Sequence, residues 1–256
     1  MSTPSRRHLK DLASLRRRRH RDRLGWHLVE GVRSVEAAAE AGAPLVELLV
    51  TDEARTDPRT VALAERAGVP VHTLPVRDLD RLADTSTTQG VVAVARIERA
   101  ALPARGAVVA LDGVQDPGNV GAILRTAAWF GADAVLAGPG TADPFGPKAV
   151  RSSMGGLWDL AVVSTDDLAA DLARLKESGL RLAGADLAGA PARGWSPPRE
   201  SVLVLGSEAH GLSEDVRALL DTKVRIGGRQ GAGPRGTESL NVAVAAGVLL
   251  HRWLGG

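Results

Sequence analysis

From Ala107 onward the chain is built of short, continuous apolar runs separated by stretches of helical periodicity. The runs read "AVVALDGV", "DAVLAG", "LAVVST", "RLAGADL", "SVLVLGSE" and "TKVRIG". Runs apolar at every position, rather than at alternate ones, belong to strands covered on both faces, which predicts a mostly parallel sheet with helices packed on it. Leu111 to Gly140 shows the unit most clearly. An apolar run breaks at "QDPGN", helical spacing follows through "VGAILRTAAWFGA", and a second run, "AVLAG", closes the segment. That is strand, loop, helix, strand, a βαβ unit whose turn lies at the carboxyl end of a buried strand, where open α/β sheets keep their ligands.

The first hundred residues pattern differently. "LGWHLVEGVRSVEAAAEAGAPLVELLVTDEA" predicts a short strand, a helix from about Ser34 to Ala41, a break and a second strand. "PRTVALAERAGVPVHTLPVRDLDRLADT" predicts a helix ending at Gly68, the strand "VPVHTL" and another short helix, and "TQGVVAVARI" supplies a last strand. "ERAALPARG" has the proline, glycine and charge of a linker. The expected division is a basic N-terminal arm over 1–23, a small α/β domain over 24–100 and a larger α/β domain over 106–256.

Composition narrows the chemistry. At 256 residues, 44% apolar and 24% charged, the chain can bury one large core or two modest ones. No run approaches the length of a membrane span and the basic N-terminus lacks a secretory apolar stretch, so a cytoplasmic protein without membrane partners is expected. There is no cysteine, which excludes disulfides, thiolate zinc sites and cysteine nucleophiles, and the six histidines are scattered without metal-site spacing. No metal is expected. The net charge of +2 conceals an asymmetry, because residues 1–23 carry nine Lys or Arg against Asp11 and Asp22 and stand at +7, leaving −5 for the rest. Arg16, Arg17, Arg18, Arg19, Arg21 and Arg23 are therefore candidate phosphate contacts, with a solvated, frayed terminus as the plain alternative.

A dinucleotide site would need G-x-G-x-x-G directly after the first strand of the large domain, and Asp116-Pro117-Gly118-Asn119-Val120-Gly121 lacks that spacing. No phosphate-binding G-x-x-x-x-G-K-[ST] loop is present either. Three segments matter together: "NVGAILRTAAWFGA", "LVLGSEAHGLSEDV" and "RIGG…TESLNVAVAAGVLL". Asn119 stands at the mouth of the first loop with Arg125 farther into the helix; Gly206-Ser207-Glu208 follows a buried strand; Glu238-Ser239-Leu240-Asn241 opens a helix. All three polar clusters fall at strand-to-helix loops, where they can converge on one site.

In this order the three segments resemble the three sequence motifs of the SpoU (TrmH) family of RNA ribose 2′-O-methyltransferases. "HLVEGVRSVEAA" and "TQGVVAV" resemble that family's small N-terminal substrate-binding domain, itself similar to a ribosomal protein. The resemblance spans about residues 12–253. It implies a ribosomal-protein-like α/β domain followed by a parallel-sheet α/β domain of SPOUT type with a deep trefoil knot, a homodimer, S-adenosylmethionine as methyl donor, and RNA as substrate, large-subunit (23S) rRNA ahead of tRNA. By matching positions it implies that Gly206, Ile226 and Leu240 contact the donor, with Ala137, Gly138 and Gly228 as neighbouring candidates. It assigns catalytic positions to Asn119, Arg125, Glu208, Ser239 and Asn241.

The chemistry of the residue types limits those roles. A guanidinium is a reluctant base, so Arg125 is expected to orient the hydroxyl and stabilise developing alkoxide and phosphate charge, with a structural salt bridge as its alternative. Glu208 can position Asn119 or Arg125, or be a surface residue. Ser239 and Asn241 can equally serve as a helix N-cap. Base stacking would fall to Trp26, Trp158, Trp195 or arginine planes, although core packing suits each tryptophan better. One departure stands out: the family's short "I-P-M-x-G" loop is here "IGGRQGAGPRGTESLN", longer, glycine-rich and carrying Arg229 and Arg235. Two other classes stay open, a non-catalytic RNA-binding or ribosome-assembly module on this scaffold, and a nucleotide-dependent oxidoreductase.

Overall fold

The computed structural model describes residues 4–84, 88–228 and 239–255. It divides into two compact units, one of the chain up to Arg99 plus Phe145–Asp159, the other of Ala100–Pro144 plus Leu160 onward.

The first unit begins with α1 (Arg6–Ser14) and α2 (Arg18–Leu24), continues through β1 (Trp26–Glu30), α3 (Val32–Glu40), β2 (Leu45–Val50), α4 (Asp52–Thr56), α5 (Pro58–Ala67), β3 (Val71–Thr73) and α6 (Val76–Asp80), and ends with β4 (Val91–Arg96). Its sheet runs β1-β4-β2-β3, with β4 antiparallel to both neighbours and β2 parallel to β3. The basic N-terminal segment is helical and packed. Leu12 and Leu15 are fully buried in a cluster with Leu28, Leu49, Leu74 and Val92, and burying a leucine contributes about 1.5–3 kcal/mol. Two apolar residues at one-turn spacing thus fasten this basic segment, against the alternative of a frayed terminus.

The second unit starts at β5 (Ala107–Asp112), α7 (Pro117–Trp129) and β6 (Ala134–Ala137). The chain then leaves it to form α8 (Pro147–Ser153), which packs in the first unit against β1, before returning as β7 (Ala161–Ser164). Arg151 of α8 explains part of this excursion, since its guanidinium donates to Glu30 at 3.2 Å, a carboxylate only 5% exposed. Phe145 and Trp158 flank the buried His27 ring at 5.4 and 6.2 Å. The remaining elements are α9 (Leu168–Glu177), β8 (Arg181–Pro191), β9 (Ser201–Gly206), α10 (Glu214–Leu219), β10 (Thr222–Arg225) and α11 (Val242–Leu254).

The second sheet has the order β10-β8-β9-β5-β6-β7 and every neighbouring pair is parallel. The continuous apolar runs at β5 and β9 are buried on both faces, as their pattern predicts. Strand order reverses between β5 and β9, because β6 and β7 extend one side while β8 and β10 extend the other, and such a reversal opens a crevice at the carboxyl ends. Sequence and structure differ at β8. Gly184 pairs with Lys223 and Ala190 with Val224, so residues 185–189 lie outside the ladder between two consecutive residues of β10. A side chain at Gly189 would stand 2.5 Å from the Lys223 carbonyl carbon, so this return needs a glycine.

Candidate active site

The loop after β5 is shaped by its own residues. Asp116 caps α7, its carboxylate accepting the backbone N–H groups of Gly118 at 2.6 Å and Asn119 at 3.1 Å, while Pro117 occupies the first helical turn. These caps hold Asn119 at the open end of the helix. The loop after β9 is tighter. Ser207 and Gly211 exchange backbone hydrogen bonds of 3.0 and 2.8 Å, and a Cβ on Gly206 would come within 2.4 Å of the Gly211 carbonyl carbon. Only a glycine lets this turn close back on the strand end. The Ser213 N–H donates to Asp112 at 2.6 Å, tying the turn to β5.

Three side chains from three distant loops then join. The Asn119 amide NH₂ donates to the Glu208 carboxylate, and the Asn241 NH₂ donates to the Asn119 carbonyl oxygen at 3.0 Å. The Asn241 carbonyl oxygen accepts from Ala243 and Val244 N–H at 3.0 and 3.3 Å, which makes it the cap of α11. The polarity of this relay is forced. Backbone donors claim the Asn241 oxygen, so its nitrogen must donate; Asn119 must therefore offer its oxygen there and its nitrogen to the carboxylate.

Beside this relay lies a cleft of about 650 Å³, walled by β8, β9, β10 and the start of α11. Gly206, Ile226, Gly228, Glu208, Ser239 and Leu240 all line it. Its size is that of a small-molecule site, and exposed Leu187 and Leu240 give it apolar surface beside the polar turn. The residues present suit a donor with a flat apolar base and a charged tail. The Gly206 turn has no room for a side chain and lines one wall of the cleft.

The other sequence candidates fall differently. Ala137 and Gly138 are not on the cleft wall: Ala137 is buried at the end of β6, and Gly138 donates to the Leu111 carbonyl at 2.9 Å with Leu168 packed against it. The cap of α11 is Asn241, so Ser239 serves as wall rather than cap. Arg125 is exposed on α7 and makes no salt bridge among the described residues, which removes the structural-pair alternative within that set. Glu238, Arg229 and Arg235 lie outside the described residues. Arg16, Arg17, Arg18, Arg19 and Arg23 are exposed on the first unit, but Arg21 is only 4% exposed and donates to the Leu15 carbonyl at 2.7 Å. Arg21 is thus a helix-to-helix tie and not a surface phosphate contact. Desolvation, then the charges of Arg19, Arg23 and Arg17, hold His20 below the usual imidazole range in this basic cluster. Of the three tryptophans considered for stacking, Trp26 joins the first unit's core, Trp158 stacks on His27, and Trp195 lies 6.3 Å from Trp253.

Asp186, Leu187, His210, Arg217 and Arg225 also line the cleft and were not marked by the sequence pattern. Asp186 and Leu187 sit in the β8 excursion, which reads in sequence as uninterrupted strand. Asp186 accepts the Ala188 N–H at 2.9 Å and pairs with Arg217 at 3.4 Å, fixing the excursion's shape.

Comparison with known proteins agrees with this geometry. Residues 106–251 match the SpoU rRNA methylase family, and residues 6–93 match an MRM3-like substrate-binding domain. A curated relative, the 23S rRNA (guanosine(2553)-2′-O)-methyltransferase RlmP of Bacillus subtilis, is 32% identical over 96% of both chains. A TrmH-family protein from Porphyromonas gingivalis superposes with a TM-score of 0.85 at 34% identity over 98% of each chain. The SpoU methyltransferase AviRb of Streptomyces viridochromogenes, solved with S-adenosylmethionine, gives 0.84 at 27% identity over 97% of each. With the family model covering more than half of its length and a whole-length relative above 30% identity, the chain belongs to the SpoU rRNA methylase family.

Proposed function

We propose that this protein transfers the methyl group of S-adenosylmethionine to a ribose 2′-hydroxyl of structured RNA, with 23S rRNA preferred to tRNA. The observation that carries the reading is the Glu208–Asn119–Asn241 relay beside a glycine-walled cleft. When bound, the donor supplies an electrophilic methyl on a sulfonium. Gly206, Ile226, Leu240 and Gly228 would hold it along the cleft wall. Asn119, fixed at both amide ends, holds the N-terminal turn of α7, the helix that carries Arg125. Arg125 orients the hydroxyl and the adjacent phosphate and stabilises the negative charge that develops on oxygen. In-line positioning of this kind supplies a large part of the barrier reduction.

In this reading 24–100 is the RNA-recognition domain, flanked by the basic segment 1–23 and the catalytic domain 106–256. Arg16 to Arg19 and Arg23 meet phosphates, which fits their exposure. The enzyme works in the cytoplasm as a homodimer. Trp129, 84% exposed at the end of α7, and Val244 and Val248, one turn apart on the adjoining α11, offer an apolar face for a second copy. The trefoil knot is part of this reading, and Ile226, Gly228, Ser239 and Leu240 all line the one cleft.

Mapping 2′-O-methyl marks on rRNA and tRNA after incubation with the enzyme and labelled donor tests the proposal. One rRNA ribose should gain the mark. Arg125→Ala should abolish transfer while donor affinity changes less than about threefold, since that side chain serves the acceptor. RNA binding without incorporation would support the non-catalytic module instead.

A further inference from the structure

We infer that Thr141 is a positioning residue for the transfer, its hydroxyl setting the start of α7 and through it Arg125; the inference rests on the ribose methylation proposed above. Arg125 is exposed and makes no salt bridge among the described residues, so the placing of its helix decides where the guanidinium can reach. That helix begins directly after residues 113–116. Gly113 stands at φ +72°, a region that glycine enters freely but is not confined to, so contacts from outside the turn must hold it there.

Thr141, in the loop after β6, supplies such a hold. It is buried, and its hydroxyl donates to the Leu111 carbonyl at 3.0 Å while accepting the Gly113 N–H at 3.2 Å. The donor and an acceptor site of one hydroxyl thus meet the backbone groups on either side of Asp112, where β5 ends. The same loop adds two backbone bonds of 2.9 Å, from Gly138 N–H to the Leu111 carbonyl and from Ala142 N–H to the Val114 carbonyl. Gly140 lies close by, since a Cβ built on it would stand 3.6 Å from the Gly113 Cα. In the sheet β5 lies between β6 and β9, so the loop after β6 holds this turn from one side and Ser213, through Asp112, holds it from the other. The relay of Glu208 and Asn241 fixes one side chain of α7; Thr141 fixes the backbone that enters the helix.

This placement separates rate from binding. No residue of 111–142 is among those lining the cleft, and the basic candidates for RNA lie in the first unit. Loss of the hydroxyl should therefore slow the chemical step and spare both binding equilibria, a split that general loosening of the fold would not give.

The experiment uses the full chain, labelled S-adenosylmethionine and an unmodified 23S rRNA transcript. Thr141→Val keeps the shape of the side chain but leaves the Gly113 N–H without this acceptor, and the single-turnover rate at saturating donor and RNA should fall about ten- to a hundredfold. Affinity for S-adenosylmethionine, by calorimetry, and for RNA, by filter binding, should stay within about threefold of native. Thr141→Ser, which keeps the hydroxyl, should restore the rate to within about threefold of native. Thr141→Cys, whose thiol is a weak donor, should be slower than Thr141→Ser and carries the test if Thr141→Val does not fold. Native rates in Thr141→Val or Thr141→Cys, a Thr141→Ser enzyme as slow as either, or a loss of donor affinity equal to the loss of rate would overturn the inference. An inactive Arg125→Ala beside a native-rate Thr141→Val would remove Thr141 only; a native protein that marks neither rRNA nor tRNA would remove the methylation reading itself.

Discussion

Replacing Asn241 by aspartate separates two jobs that one side chain performs. Its carbonyl oxygen caps α11 through Ala243 and Val244, and its NH₂ group donates to Asn119 at 3.0 Å. Aspartate is as good an N-cap as asparagine and its charge suits a helix N-terminus, so Asn241→Asp should leave unfolding free energy within about 0.5 kcal/mol of native. Asn241→Ala should lose the cap and about 0.5–2 kcal/mol. The relay responds differently. The introduced carboxylate has no hydrogen to give, so Asn119 loses the donor that fixes its orientation, and flipping the amide would only turn its oxygen toward the Glu208 carboxylate. Loss of one such hydrogen bond is worth about 1 kcal/mol, and displacement of the Arg125 helix adds to it, so transfer should slow about ten- to a hundredfold. Urea unfolding and single-turnover methylation of rRNA read the two effects side by side. An Asn241→Asp enzyme that is as fast as native, or as unstable as Asn241→Ala, would refute the claim that the relay and the cap are separable.

Three further outcomes follow from the geometry. Gly206→Ala forces a methyl against the Gly211 backbone; it should cost about 1–3 kcal/mol and shrink the thermal shift produced by S-adenosylmethionine, and a shift of native size would contradict the close approach seen here. Replacing Arg16, Arg17, Arg18, Arg19 and Arg23 together by glutamine should flatten the salt dependence of RNA binding, by about 0.7–0.9 in log–log slope per lost contact, whereas Arg21→Met should lower stability and leave that slope alone. Asp221 is desolvated, yet the Leu182 N–H at 2.8 Å and the Lys176 ammonium hold its carboxyl below the ordinary 3.8. A depressed folded value means that its stabilisation is complete above that ordinary value and fades as pH falls through the lower folded one. The stability gap between native protein and Asp221→Asn, measured by chemical denaturation, should therefore be constant from about pH 6 to 8 and narrow as pH falls below that ordinary value; a gap that widens in acid would reverse the sign.

How much of this was legible beforehand depends on the range of the interaction concerned. The sheet of the second unit was readable because a strand buried on both faces must be apolar at every position, a local property, and β5 and β9 obey it. The Asp116-Pro117 start of α7 is likewise a short-range signal, one side chain satisfying N–H groups two and three residues away. Charge, by contrast, told only part of the story at the N-terminus. Nine basic residues read as a phosphate-contacting arm with a frayed terminus as the alternative, but Leu12 and Leu15 sit in the core and Arg21 turns inward to a carbonyl, because burial depends on what the rest of the chain brings against them. The helix over Pro147–Ser153 packs in the first unit for a similar reason: its Arg151 meets Glu30, more than a hundred residues earlier.

The sequence by itself determined the six strands of the second unit, their parallel sheet and which three loops carry polar groups, since periodicity, caps and glycine turns act over a few residues. Only the tertiary structure decided that Glu208, Asn119 and Asn241 form one directed chain of hydrogen bonds, that Ala137 and Gly138 stand away from the cleft, and that β8 departs from its ladder to place Asp186 and Leu187 on the wall. Those facts depend on strand order, register and close backbone approach, which join residues far apart in sequence and leave no periodic trace along it.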